Sequence, residues 1–244
     1  MENEIPIIKE KIILNNEYKN WMIKISQIEK EFALSSDFNN KVALDHGIEH
    51  MNRVANNVYR LLKEYAIQEE TCVLGYIAGL IHDIGMIYGK DGHAYNGAEM
   101  ASDFLKKLNL IDINDIPIIT NAIKNHSNGG NNPDVITSIL TIADKADMCK
   151  QRSLGNKSPI QFIKDYRIEI KNGILQINYI INNLNGIEGL YIIPKSIDIP
   201  RELGKKLGLK VEFYINGKYE EFKDRQNYKG KTYQRKDKLK TSNL

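Results

Sequence analysis

Five histidines occur in this 244-residue chain, and four of them, His50, His82, His93 and His126, fall on apolar helical stripes together with Asp83 and Asp144. Residues three and four apart share one helix face, and an ionisable group turned inward is costly unless something pairs with it. His50 heads the row Val54, Val58, Leu61, Leu62 and Tyr65. Thr71 to Ile84 reads TCVLGYIAGLIHDI, apolar almost all round, which predicts a buried central helix ending in His82 and Asp83 with Gly85 as its stop. His93 leads into Gly97, Ala101 and Leu105. His126 completes Ile119, Ala122 and Ile123 on a helix that Asp115 can cap and Pro117 can enter in its first turn, and Asp144 continues Ile136 and Leu140. Any one of these histidines could be an ordinary hydrogen-bonded core residue. Five helices each bringing imidazole or carboxylate inward point instead to divalent metal, the simplest agent that satisfies so many at once.

The ordered set H…HD…H…H…D resembles the HD superfamily of metal-dependent phosphohydrolases over roughly Lys41 to Arg152. His50 with Arg53 and Val54 matches the family's opening H-x-x-R-V, and LIHDIG carries the dyad. HAYNGAEMA is similar to the H-x-x-x-G-A-x-x-A stretch of dinuclear members, IKNHS supplies the next histidine, and LTIADKAD the closing Asp144. The resemblance implies two divalent ions, Fe or Mn foremost, with Co, Ni, Zn or Mg also compatible. One would be held by His50, His82, Asp83 and Asp144, and the second by His93 and His126 with Asp83 bridging. Such a pair would activate water for in-line attack on phosphorus and stabilise the phosphoryl charge, so no serine or cysteine nucleophile is needed.

Residues that could handle substrate surround this core. His46, four residues before His50 and preceded by Asp45 as a cap, resembles a phosphate-contacting or supporting histidine of some members. Arg53, Lys145 and Arg152 are nearby cations, with Lys145 foremost; Asp147 is the rival of Asp144 for the last ligand place. The catalytic set expected is Asp83, His46, Lys145 and Arg53. MIYGKDG between the dyad and His93 reads as a connecting loop or a rim over the site. The sequence lacks the Gly-Tyr-Pro tripeptide of the HD enzymes that cleave cyclic dinucleotides, and guanosine tetraphosphate hydrolases of the superfamily are mononuclear and much longer. The six-ligand set and the ending Ala143-Asp144-Lys145 resemble those of HD enzymes that split dinucleoside tetraphosphates, and that resemblance implies a nucleotide or dinucleotide polyphosphate as the small phosphorylated substrate. A dinuclear-iron oxygenase of the same ligand set and a non-catalytic ligand-sensing module are the alternatives.

Composition and patterning supply the elements that must position these groups. The expected class is mainly α, an HD helical bundle (37–155) preceded by a helical segment (1–36) and followed by a small α+β extension (156–224) and a basic tail (225–244). Asn16 to Ala33 reads as an amphipathic helix with Trp21, Ile23, Ile25, Ile28 and Phe32, packing on the bundle or on a second copy in a homodimer. After Arg152 the pattern alternates. Tyr166–Glu169 and Ile174–Ile181 flank a Lys-Asn-Gly turn, Val211–Ile215 and Tyr219–Phe222 flank Asn216 and Gly217, and a short helix from Asp198 to Leu207, started by Pro200 and stopped by Gly208, lies between: two hairpins and a helix. The tail holds seven Lys or Arg and one Asp, a net +6, so the rest of the +3 chain carries about −3. Tyr228 and Tyr233 among its cations allow weak contact with nucleic acid, although a solvated tail is the plainer expectation. No apolar run approaches the roughly 18 residues of a membrane span, the N-terminus is not a secretory signal, and Cys72 and Cys149 lack zinc spacing, all in keeping with a cytoplasmic enzyme with reduced thiols.

Overall fold

The computed structural model describes residues 4–34, 44–154 and 159–222, the last range apart from 184, 186, 188, 189, 191, 192 and 194; the expected basic tail lies outside the described residues. Its helices are α1 (Glu4–Ile13), α2 (Asn16–Leu34), α3 (Ile48–Glu64), α4 (Glu69–Ile81), α5 (His93–Leu108), α6 (Ile116–Asn125), α7 (Val135–Ala146) and α8 (Lys195–Lys206). The strands β1 (Ile163–Lys171), β2 (Ile174–Ile181), β3 (Lys210–Ile215) and β4 (Lys218–Tyr219) form one sheet in that order. The class is therefore mainly α with a small C-terminal α+β extension, as the patterning predicts.

Helix α4 is the axis of the bundle because it has no polar face to offer water. Every residue from Cys72 to Ile81 is buried, against α1, α3, α6 and α7. Close approach requires its glycines: a Cβ on Gly79 would stand 2.5 Å from Ala55 Cα of α3. Contrary to the expectation of no such run, Glu69–Tyr88 is long and apolar enough to pass for a membrane span, yet 89% of that window is buried inside this fold. The helix stops at Ile81, before the dyad, and Gly85 lies in a 3₁₀ segment, Ile84–Tyr88, with Met86 and Ile87 buried. Gly85 is needed for space, since a Cβ there would meet His93 O at 2.0 Å and Gly97 N at 2.5 Å. The expected MIYGKDG loop is thus half core, half turn, with Gly89 and Gly92 at positive φ.

Helix α1 was hidden in an N-terminus that reads as polar; it buries Ile8 and Ile12. Asn15 starts α2, its Oδ1 accepting from Glu17 N at 2.8 Å. The buried stripe of α2 is Tyr18, Ile25 and Glu29, while Ile23 and Phe32 are exposed; Trp21 packs edge-on against Phe104 at 5.0 Å. Glycine 47, not Asp45, is the N-cap of α3, so His46 precedes the helix; Asp115 caps α6 by position but makes no side-chain bond.

In the extension, Asn172 and Gly173, then Asn216 and Gly217, turn the two hairpins at positive φ. The hairpins are fused: β2 pairs with β3 in parallel, from Ile174↔Lys210 to Tyr179↔Ile215, which α8 permits by crossing over against α7. Helix α8 begins at Lys195, so Pro200 lies inside it. Strand β1 is the edge facing α3, which blunts it: Glu64 accepts from Ile170 N at 2.7 Å, Arg60 donates to Ile168 O, and Asn57 donates to Tyr166 Oη at 2.7 Å.

Candidate metal centre

Each of the expected donors sits at or near a helix end. His50 is in the first turn of α3, His82 caps α4, Asp83 opens the 3₁₀ segment, His93 is the first residue of α5, His126 caps α6 and Asp144 lies in the last turn of α7. Their side chains meet in two sets sharing Asp83. His50, His82, Asp83 and Asp144 make one; Asp83, His93 and His126 make the other, with ligating atoms in each set within 4.8 Å of one another. Asp83 Oδ2 stands 3.4 Å from His50 Nε2 and 3.0 Å from His82 Nε2, and Oδ1 stands 3.5 Å from His93 Nε2 and 3.2 Å from His126 Nε2. Asp144 Oδ1 is 3.3 Å from His50 Nε2.

The tautomers follow from the other ring nitrogens. His82 Nδ1 lies 2.9 Å from Gly79 O, His93 Nδ1 2.7 Å from Lys90 O, and His126 Nδ1 2.6 Å from Ile123 O, in each case the carbonyl three residues back. A carbonyl can only accept, so Nδ1 carries the proton and the neutral ring offers Nε2 as a bare lone pair. His93 and His126 then point lone pairs at each other across 3.1 Å, and His50 and His82 Nε2 atoms are 3.2 Å apart. Among the described residues, both Asp83 oxygens are buried without a hydrogen-bond donor. Lone pairs converging on an undonated carboxylate repel unless a cation lies among them. Imidazole and carboxylate are the right donors for a divalent transition ion, so the residues fit the metal that the motif implies.

Electrostatics carry the same sign. Burial and Arg152 push the His50 imidazole down, but the nearby carboxylates of Asp144, Asp147 and Asp83 outweigh them and raise it to about 9. Burial alone would neutralise Asp83, yet the surrounding His82, His46, His126 and His50 hold it well below the usual carboxylate range; Lys145 and His50 do the same for Asp144. The cage is thus built to draw in positive charge.

Asp147 stands outside both sets. Its Oδ2 lies 2.5 Å from His50 Nδ1, and its two oxygens take a fork from Arg53, Nε to Oδ1 at 2.9 Å and Nη2 to Oδ2 at 3.0 Å. Arg53 is therefore held on Asp147, one layer behind His50, and not on the Asp83 cluster. Arg152 is buried too, donating to Asp45 O at 3.0 Å and Asp147 O at 3.2 Å, with Nη1 3.7 Å from Asp144. Lys145 pairs with Asp144 and keeps a partly open side chain. His46 lies edge-on to His50, ring centroids 6.0 Å apart. The sequence reading missed one participant: Glu29 of α2, which binds His46 and gives no sign in the sequence beyond a charge on a buried stripe. Asp147 carried a signal, its i,i+3 spacing from Asp144, but the spacing alone left its role open.

Comparison with known proteins adds to this geometry. Residues 47–149 match the family model of the HD domain. The chain is similar, at 25% identity over 205 residues, to the "Uncharacterized protein MJ1020" of Methanocaldococcus jannaschii, covering 72% of this chain and 76% of that protein. A crystal structure of a predicted HD superfamily hydrolase from an uncultured Thermotogales bacterium resembles it at 22% identity and TM-score 0.39, covering 58% of this chain and 74% of that one. The family match spans all six cage residues, so the segment 47–149, which holds the whole candidate centre, is similar to the HD domain.

Proposed function

We propose that this protein is a metal-dependent phosphohydrolase that cleaves an ester or anhydride bond of a small phosphorylated metabolite, a nucleotide or dinucleotide polyphosphate, in the cytoplasm. The single observation that supports it most is the Asp83 carboxylate, buried without a donor and facing two imidazole Nε2 atoms from each oxygen. His50, His82, Asp83 and Asp144 would hold one divalent ion and Asp83, His93 and His126 a second. Bound there, divalent metal supplies an acidified water and charge stabilisation for the phosphoryl oxygens.

The rest of the chemistry falls to the chain. Lys145, partly open beside Asp144, would meet phosphate oxygens as a point charge. His46, beside His50 and 18% exposed, would exchange a hydrogen bond or proton with the substrate. Arg53, locked to Asp147, acts on His50 and does not reach for substrate. The test joins elemental analysis of freshly purified protein to phosphate release from a nucleotide panel with Mn²⁺ or Fe²⁺. Two ions per chain and metal-dependent phosphate release support the reading. Oxygen uptake after iron loading with no phosphate release would replace it by an oxygenase, and inertness in both assays by a ligand sensor.

A further inference from the structure

We propose that Glu29, on the N-terminal helix α2, is a positioning residue of this centre: it grips His46 through both backbone and ring and so fixes which ring nitrogen faces the substrate. Its catalytic consequence rests on the phosphohydrolase reading, whereas its effect on the ring does not.

The contact is specific in a way that simple helix docking does not need. Glu29 Oε1 accepts from His46 N at 3.0 Å and lies 2.6 Å from His46 Nδ1, so one oxygen holds both the turn that enters α3 and the ring it carries. With Nδ1 taken, Nε2 is the nitrogen left for the site. Glu29 stands on the stripe of Tyr18 and Ile25, where packing alone calls for an aliphatic residue. A buried acid there is costly, and the cost is visible: burial, with Asp45 adding to it, raises the carboxyl to about 8 against the opposing His46 hydrogen bond. Among the described residues, Oε2 has no hydrogen-bond partner, so half of the carboxyl group is left unpaired in the interior. A residue kept merely to pin α2 would not need this arrangement; one kept to orient a ring beside a metal cage would. The N-terminal helix thereby becomes part of the site.

The test uses the full chain with Glu29→Ala, Glu29→Met, His46→Ala and the Glu29→Ala/His46→Ala pair. Nitrogen-15 ring spectra of the metal-free protein should show one His46 tautomer in the parent chain and a mixture in Glu29→Ala. Loaded with Mn²⁺, both Glu29 variants should keep the parent metal content. With kcat and KM measured on whichever panel nucleotide is cleaved, kcat should fall about tenfold or more at little change in KM. In the His46→Ala background, adding Glu29→Ala should cost no more than about twofold, the sign that the two act as one unit. Unchanged ring nitrogens in Glu29→Ala, or a full additive loss in the pair, would overturn the proposal. If Glu29→Ala fails to fold, Glu29→Met, which keeps the side-chain length but offers no acceptor oxygen to His46 Nδ1, carries the same readouts. A parent chain that releases no phosphate would defeat the hydrolase reading alone, and the ring spectra would still decide Glu29.

Discussion

At the scale of single residues, the cage is defined by what stands behind the donors as much as by the donors. His82, His93 and His126 are oriented by backbone carbonyls three residues back, so that bond needs no particular side chain; His50 instead depends on a side chain, Asp147, itself braced by Arg53. Removing a donor and removing a brace should therefore differ in degree. His82→Ala or Asp83→Ala is expected to abolish activity and lower metal content, whereas His46→Ala spares metal and impairs turnover. Asp147→Asn should weaken metal affinity by about 10–100-fold, the usual range for a partner behind a ligand, read by competition with a chelator. Metal content lost equally from His46→Ala would sink the division between cage and rim. Protons compete for the same lone pairs. His50 is raised to about 9 in the metal-free cage, so near neutral pH its imidazole is protonated and must shed a proton to ligate. Affinity should then fall about tenfold per unit as pH drops below about 9 and level off above it, for that one proton. Calorimetry in buffers of different ionisation enthalpy reads this release directly; no buffer dependence near pH 7 would count against it.

At the scale of elements, the site lies where five helices begin or end, and one small residue sets the spacing of two of them. Gly85 lets the turn after the dyad press on α5, with His93 O and Gly97 N where a methyl would go. Gly85→Ala must displace backbone, since the atoms in the way are all main chain and cannot swing aside, and about 1–3 kcal/mol of destabilisation is expected. Because His93 rides on that contact, the same variant should lose metal from the His93–His126 set before the other. Thermal unfolding and metal counts per chain check the two effects. These elements show why the site was legible in the sequence and the rest less so. Imidazoles on 3.6-residue stripes announce their direction, because the stripe and the ligand share one period. Asn-Gly pairs likewise announced both hairpin turns. The parallel pairing of β2 with β3 joins residues about 35 apart through α8 and leaves no local trace. Helix α4 was misjudged at its end because apolarity continues through Ile84 and Ile87, which are buried outside any α-helix. Glu29 was invisible for the same reason that α2 looked amphipathic: its neighbours on the stripe are apolar, and a lone acid there reads as surface.

At the scale of the whole molecule, the cage gathers groups from a span of chain running from His50 to Asp144, and the extension leans on the same two helices that supply its ends. Helix α3 carries His50 and Arg53 at one end and holds β1 by Asn57, Arg60 and Glu64 farther along, while α7 carries Asp144 and backs α8. Metal bound at the cage would therefore be felt as global stability and not as local stiffening, because opening any of five segments breaks it. Ligand at about a hundredfold excess over its dissociation constant adds about 2.7 kcal/mol to the folded state. For a chain of this size each kcal/mol raises Tm by about 2–4 °C, so chelation should lower Tm by about 5–10 °C. The fall should be reversed by adding back Mn²⁺ or Fe²⁺, be absent in Asp83→Ala, where both sets lose their shared carboxylate, and be smaller in His126→Ala, where the first set is intact. A metal-loaded protein whose Tm ignores chelator would mean that the six groups do not act together on one cluster, and the physical basis for the hydrolase would go with it.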